Sequence, residues 1–168
     1  VATGSLGVDT VFPKSLGAER VTWLAEVGVS QVRGLPDPTV LRYGRPLAYN
    51  GAAYAAGPAC VDAVPGKTCT TDGYVSSSAW GLRMLASARY APAGSDVVWT
   101  PSLLWARDVK GYAHDGAYVE GRTLLRPALR AEVGRRYFGE IQYHRYTGGA
   151  YNLLIDRDHV SLVAGARF

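Results

Sequence analysis

The feature that most constrains this chain is a period-two alternation that recurs along it and is cleanest in the last ten residues. In His159-Val160-Ser161-Leu162-Val163-Ala164-Gly165-Ala166-Arg167-Phe168, one face carries Val160, Leu162, Ala164, Ala166 and Phe168. The other carries His159, Ser161, Gly165 and Arg167, with Val163 the exception. Strand side chains alternate faces, so the run predicts a strand with one apolar and one wet face. About 9–11 residues is also the length a tilted strand needs to cross a bilayer. A half-buried strand of a soluble sandwich uses the same alternation, so the rest of the chain has to decide.

The pattern repeats. Around Thr22–Gln31, Val21, Trp23, Ala25, Val27 and Val29 oppose Thr22, Glu26, Gly28 and Ser30. Over Tyr74–Tyr90, Trp80, Leu82, Met84, Ala86, Ala88 and Tyr90 oppose Ser77, Gly81, Arg83, Ser87 and Arg89. Val97–Arg107 sets Val97, Trp99, Leu103 and Trp105 against Thr100, Ser102 and Ala106. Thr123–Val133 sets Leu125, Leu129, Ala131 and Val133 against Arg126, Arg130 and Glu132. Tyr137–Tyr146 sets Tyr137, Ile141 and Tyr143 against Glu140, Gln142 and His144. Thr3–Phe12 is a less regular seventh segment, with Leu6, Val8 and Phe12 on one side.

Between these segments, long and short connections take turns, as they do in outer-membrane barrels with short periplasmic turns and longer outer loops. Residues 33–73 read as a long extracellular loop, while 91–95 and 134–136 read as tight turns. In that topology Trp23, Tyr90, Trp99, Tyr137 and Phe168 fall near one rim, and Tyr74, Trp105 and Tyr143 near the other. Two aromatic belts are what amphipathic rings form at membrane interfaces. Glu26, Arg83, Arg89, Arg126, Arg130, Glu132, Glu140, His144 and Arg167 face the opposite way and are expected to line a hydrated lumen. A soluble core could not bury so many charges, because an unpaired buried ion costs several kcal/mol. No helix-period segment supplies a second layer to cover the apolar face.

The expected fold is therefore all-β, an antiparallel up-and-down transmembrane β-barrel portion filling residues 1–168. Six or seven strands, with the first starting on the outer side, predict the C-terminal part of a larger barrel, because open edges are not satisfied in lipid. Pro101 and Pro127 lie inside neighbouring strands and predict bulges or a local slip of register, since proline cannot donate to the ladder. Arg107 and Arg145 fall on the apolar face near the outer rim, where long side chains reach headgroups.

Composition agrees. The 168 residues are 48% hydrophobic, yet mean hydropathy is −0.03 and no run approaches the roughly 18 apolar residues of a spanning helix. The net charge of +4 is spread along the chain without a nucleic-acid motif, so no nucleic-acid partner is expected. The two cysteines, Cys60 and Cys69, bracket a Pro-Gly turn and read as a local disulfide of an oxidising compartment. A zinc half-site is the alternative, but no second ligand pair accompanies it.

Two stretches are the most distinctive, Gly73-Tyr74-Val75-Ser76-Ser77-Ser78-Ala79-Trp80-Gly81 and Thr100-Pro101-Ser102-Leu103-Leu104-Trp105-Ala106-Arg107-Asp108-Val109-Lys110-Gly111-Tyr112. With Glu26-Val27-Gly28, Glu120-Gly121-Arg122 and Asp156-Arg157-Asp158-His159-Val160-Ser161-Leu162, they resemble a proteobacterial family of long, porin-like outer-membrane β-barrels of unknown function. The final strand closing on Phe168 also resembles the sorting signal of such barrels. The resemblance implies a longer barrel, tolerated prolines, and a link to hydrophobic compounds or lipids. It implies location in the bacterial outer membrane, with outer-membrane lipid and the barrel-assembly machinery as partners. It carries no catalytic or binding residues.

Candidate chemistry is sparse. His159 and Ser161 share a face at the spacing used by outer-membrane phospholipases, but parity turns them inward and no Asn or Asp partner is evident. His144 falls beside His159 without a third ligand. Asp156-Arg157-Asp158 and His114-Asp115-Gly116 lack a full calcium set, and no phosphate-cradling glycine loop occurs. No catalytic residue, cofactor or metal is expected. The expected role is a channel or transport barrel for small or hydrophobic solutes, with a lipid-acting barrel enzyme or a passive structural or adhesion barrel as alternatives. No oligomeric state is implied.

Overall fold

A computed structural model describes residues 1–37, 40–45, 47–49, 64–134 and 136–167. Seven antiparallel strands form one sheet in chain order: β1 (Ala2–Pro13), β2 (Arg20–Gln31), β3 (Ser78–Arg89), β4 (Val97–Lys110), β5 (Thr123–Val133), β6 (Tyr137–Thr147) and β7 (His159–Ala166). Each strand pairs with its chain neighbours; β1 and β7 are the two edges, and the sheet is not closed. The all-β, up-and-down antiparallel architecture is as expected, and the less regular first segment is a full strand of 12 residues. A strand of this length, at about 3.3 Å per residue, is about 40 Å long.

The ends of the strands joined β1–β2, β3–β4 and β5–β6 lie at one end of the sheet, and those joined β2–β3, β4–β5 and β6–β7 at the other. Two local expectations need correction. The third strand starts at Ser78 rather than Tyr74. The prolines cause neither a bulge nor a slip. The β3–β4 register is identical at Ser87↔Ser102 and Tyr90↔Trp99, on either side of Pro101. The β5–β6 register is likewise identical at Leu125↔Arg145 and Ala128↔Gln142, around Pro127. The ladder simply skips rungs where proline has no N–H to donate. The register shift in this region lies instead between Trp80 and Gly81, opposite Val109, where an extra residue is absorbed as in a β-bulge.

Burial is inverted relative to a soluble sheet. On the apolar face Leu103, Leu129, Ile141 and Leu162 are exposed, Leu162 by 77%. On the polar face, toward the long loops, Ser30, Ala79, Ala106 and Asp108 are buried. Apart from Ala18 in the β1–β2 turn, the buried residues cluster there and in the loops beyond, around Ala79, Ala113 and Tyr118 and around Tyr74, Tyr151 and Asn152.

Candidate functional site

Pairing register arranges the polar face in rows that run across the strands. One row passes through Gly7, Glu26, Arg83, Ala106, Leu124 and Tyr146. The next holds Asp9, Leu24, Leu85, Leu104 and Arg126. Nearer the short turns, Thr100, Arg130, Glu140 and Val163 form a further row. The expected lumen-lining residues thus share one face, as parity requires. The leucine row between them is a feature that the alternation lists left out.

At the short-turn end the charges join. Arg130 bonds Glu132 at 3.0 Å and Glu140 at 3.3 Å. Glu132 also faces Arg167 at 3.5 Å and Arg89 at 3.8 Å, and Arg89 reaches Glu19 at 3.0 Å. The Arg130 guanidinium lies 4.1 Å over the Phe138 ring, a cation–π contact that holds its plane against the sheet. Five of the nine expected lining residues, Arg89, Arg130, Glu132, Glu140 and Arg167, therefore form one network. Glu26 and Arg83 face each other in register without an ion pair between them among the described residues. His144 stacks on His159 with ring centroids 4.4 Å apart. His144 Nε2 meets the Gln142 side chain and His159 Nδ1 meets the Arg157 carbonyl. No His–Ser hydrogen bond joins His159 to Ser161 among the described residues.

The long-loop end is built differently. Residues 111–122 form a hairpin closed by the Tyr112↔Val119 bridge and a turn from the Gly116 N–H to the Ala113 carbonyl. Instead of rising off the rim, it lies over the polar face. A Cβ built on Gly28 would overlap the Tyr118 hydroxyl, and one on Gly81 would come within 3.1 Å of the Tyr118 ring. Arg83 stacks on that ring at 5.3 Å. Arg122 Nε donates to Asp108 Oδ2 at 2.7 Å, and the Val119 N–H donates to the same oxygen at 3.0 Å. The Gly111 N–H donates to Glu120 at 2.8 Å, and the Tyr112 N–H to Ser76 Oγ at 3.0 Å.

Above the hairpin, buried Arg45 donates to the carbonyls of Lys67 and Thr68 at 2.8 and 2.7 Å. A cleft of about 850 Å³ opens beside it, walled by Tyr74, Tyr112, Tyr151, Asp72 and Glu120 among others. Burial, helped by Glu120, Tyr151 and Asp72, pushes the Tyr112 phenol up to about 12.

Of the expected belt residues, Trp23, Tyr90, Trp99 and Tyr137 lie on the apolar side toward the short turns, and Trp105 and Tyr143 toward the long loops. Tyr74 does not belong with them. It precedes β3, is buried in the loop cap, and carries the Arg45 guanidinium 4.4 Å over its ring. Trp80, opposite Val29 and Lys110 on the apolar face, was missed from the belt. Its parity alone would have placed it there. Phe168 lies outside the described residues, as does Cys60, so the Cys60–Cys69 pairing does too. Among the described residues no cluster of three or more His, Cys, Asp or Glu could hold a metal ion.

The fold and site define an up-and-down antiparallel sheet with an apolar face and a charge-laddered one. The chain belongs to the family described as protein of unknown function (DUF1302), whose model matches residues 1–168. No curated protein and no solved structure matches it.

Proposed function

We propose that this sheet is part of the wall of an outer-membrane β-barrel that passes small or hydrophobic solutes. The observation that carries the reading is the inverted burial: leucines, valines and Trp99 stand uncovered while the alternate residues hold the ion pairs. In water such a face would aggregate; in hydrocarbon it is the favourable surface. Arg107, Lys110 and Arg145, the cations on the apolar side, all sit toward the long loops, within reach of headgroups. The unpaired edges of β1 and β7 call for further strands to close the wall. The leucine row set between charged rows makes the lumen amphipathic, which suits a solute with an apolar body and a polar end.

The test is reconstitution of the full-length protein in sealed lipid vesicles loaded with a fluorescent amphipathic solute. The reading predicts efflux above that of empty vesicles. Protein that floats with the vesicles yet releases nothing would leave a passive barrel; protein that stays in the aqueous phase would contradict the membrane reading.

A further inference from the structure

We infer that the hairpin 111–122 is the constriction of the proposed pore, with Tyr118 and its exposed tip setting what passes; this rests on the pore reading above. Three observations place it. Tyr118 packs down on the polar face over Gly28 and Gly81, two glycines in direct register. A Cβ at Gly28 would overlap the Tyr118 hydroxyl, and one at Gly81 would press on the ring at 3.1 Å, so the close approach uses both glycines. The base is pinned: Asp108–Arg122 closes its back, Gly111–Glu120 its front, and Tyr112 exchanges two bonds of 3.0 Å with Ser76 of the preceding loop. The tip, His114–Ala117, is exposed, and the Ala117 N–H is held by Asp115 at 3.0 Å.

A hairpin fixed at its base over the hydrated face narrows the passage at the level of Glu26 and Arg83. There an acid and a base face each other across adjacent strands, beside a ring that already stacks one cation. Opposed charges at a narrow point orient a dipolar or zwitterionic solute and slow a bare ion of either sign. The hairpin thereby sets selectivity at a depth that the short-turn ladder does not.

The experiment uses the full-length protein in planar lipid bilayers. Asp115→Cys is modified with a bulky, membrane-impermeant maleimide, with labelling counted by mass spectrometry and the unmodified parent treated alike. The expected result is a stepwise loss of conductance on labelling the variant and none in the parent. A second variant, Tyr118→Ala, is expected to raise single-channel conductance. A conducting parent whose labelled variant and Tyr118→Ala both conduct as before overturns the constriction alone. A parent that inserts but never conducts overturns the pore reading and the constriction with it.

Discussion

The two ends of the polar face use the same chemistry, arginine against carboxylate, in opposite settings. At the long-loop end Asp108 is 4% exposed and Arg122 18%, at 2.7 Å, under a hairpin and a loop cap. At the short-turn end the outer partners are open, Arg89 at 37%, Glu19 at 59% and Arg167 at 64%, around a half-covered centre of Arg130, Glu132 and Glu140. A buried charge stripped of its partner has no water to turn to, whereas an exposed pair exchanges one good solvent for another. The same salt bridge is thus a structural fastener at one end and an adjustable electrostatic lining at the other.

The largest effect is expected at the covered end. Asp108→Ala leaves Arg122 Nε and the Val119 N–H without their acceptor and the Arg122 charge without its counter-ion, and should cost about 3 kcal/mol, read by urea unfolding in detergent micelles. A cost near zero would mean the hairpin is not fastened there. Gly81→Ala should cost about 1–3 kcal/mol, because its Cβ would sit 2.7 Å from the Arg107 carbonyl and against Tyr118. Gly139→Ala is the control, with the nearest atom 4.0 Å away; equal losses at the two sites would dissolve the contrast.

At the more open end Glu132→Gln, which keeps an acceptor oxygen for the three arginines that face it, should cost about 1–2 kcal/mol, less than Asp108→Ala. On the proposed pore reading, its further signature is a shift of the reconstituted protein's conductance toward anions, measured as reversal potential in a salt gradient. An unchanged reversal potential would remove the ladder from the ion path.

The smallest effects are those of pH. Tyr112, raised from 10.0 to about 12, contributes fully below pH 10 and loses that contribution as pH climbs to about 12, since the unfolded phenol ionises first. Tyr112→Phe should abolish this alkaline loss. Asp158 is held below its ordinary 3.8, first by the Tyr146 N–H and then by the Tyr143 hydroxyl. Its contribution is complete above that value and disappears as pH falls through the lowered one. Asp158→Asn should flatten the acid limb of the stability curve.

How much of this could be read from the residues depended on which physical rule governed them. Period two is a property of the extended backbone, so the faces of all seven strands followed from spacing, and β5 begins and ends at Thr123 and Val133 as the pattern placed it. Tyr74 misled because the residues before Ser78 keep the look of a strand, yet the Val75 and Ser76 N–H groups donate to the Tyr43 and Tyr112 carbonyls of the loops rather than to β2. The position of the 111–122 hairpin had no periodicity to announce it. Its one trace was Gly28 and Gly81 on a wet face with no turn nearby, and that becomes a signal only when the register shows them opposite each other. Leu24, Leu85 and Leu104 break the polar alternation one strand at a time, and only the pairing register joins them into a row.

All four tryptophans, Trp23, Trp80, Trp99 and Trp105, lie on the apolar face, so the native chain carries its own depth probe. The decisive measurement is tryptophan fluorescence of the full-length protein in vesicles whose acyl chains are brominated. The account predicts a blue-shifted emission that the bromine atoms quench strongly and that aqueous acrylamide barely touches. Emission indifferent to brominated chains and readily quenched by acrylamide would put that face in water and contradict the account.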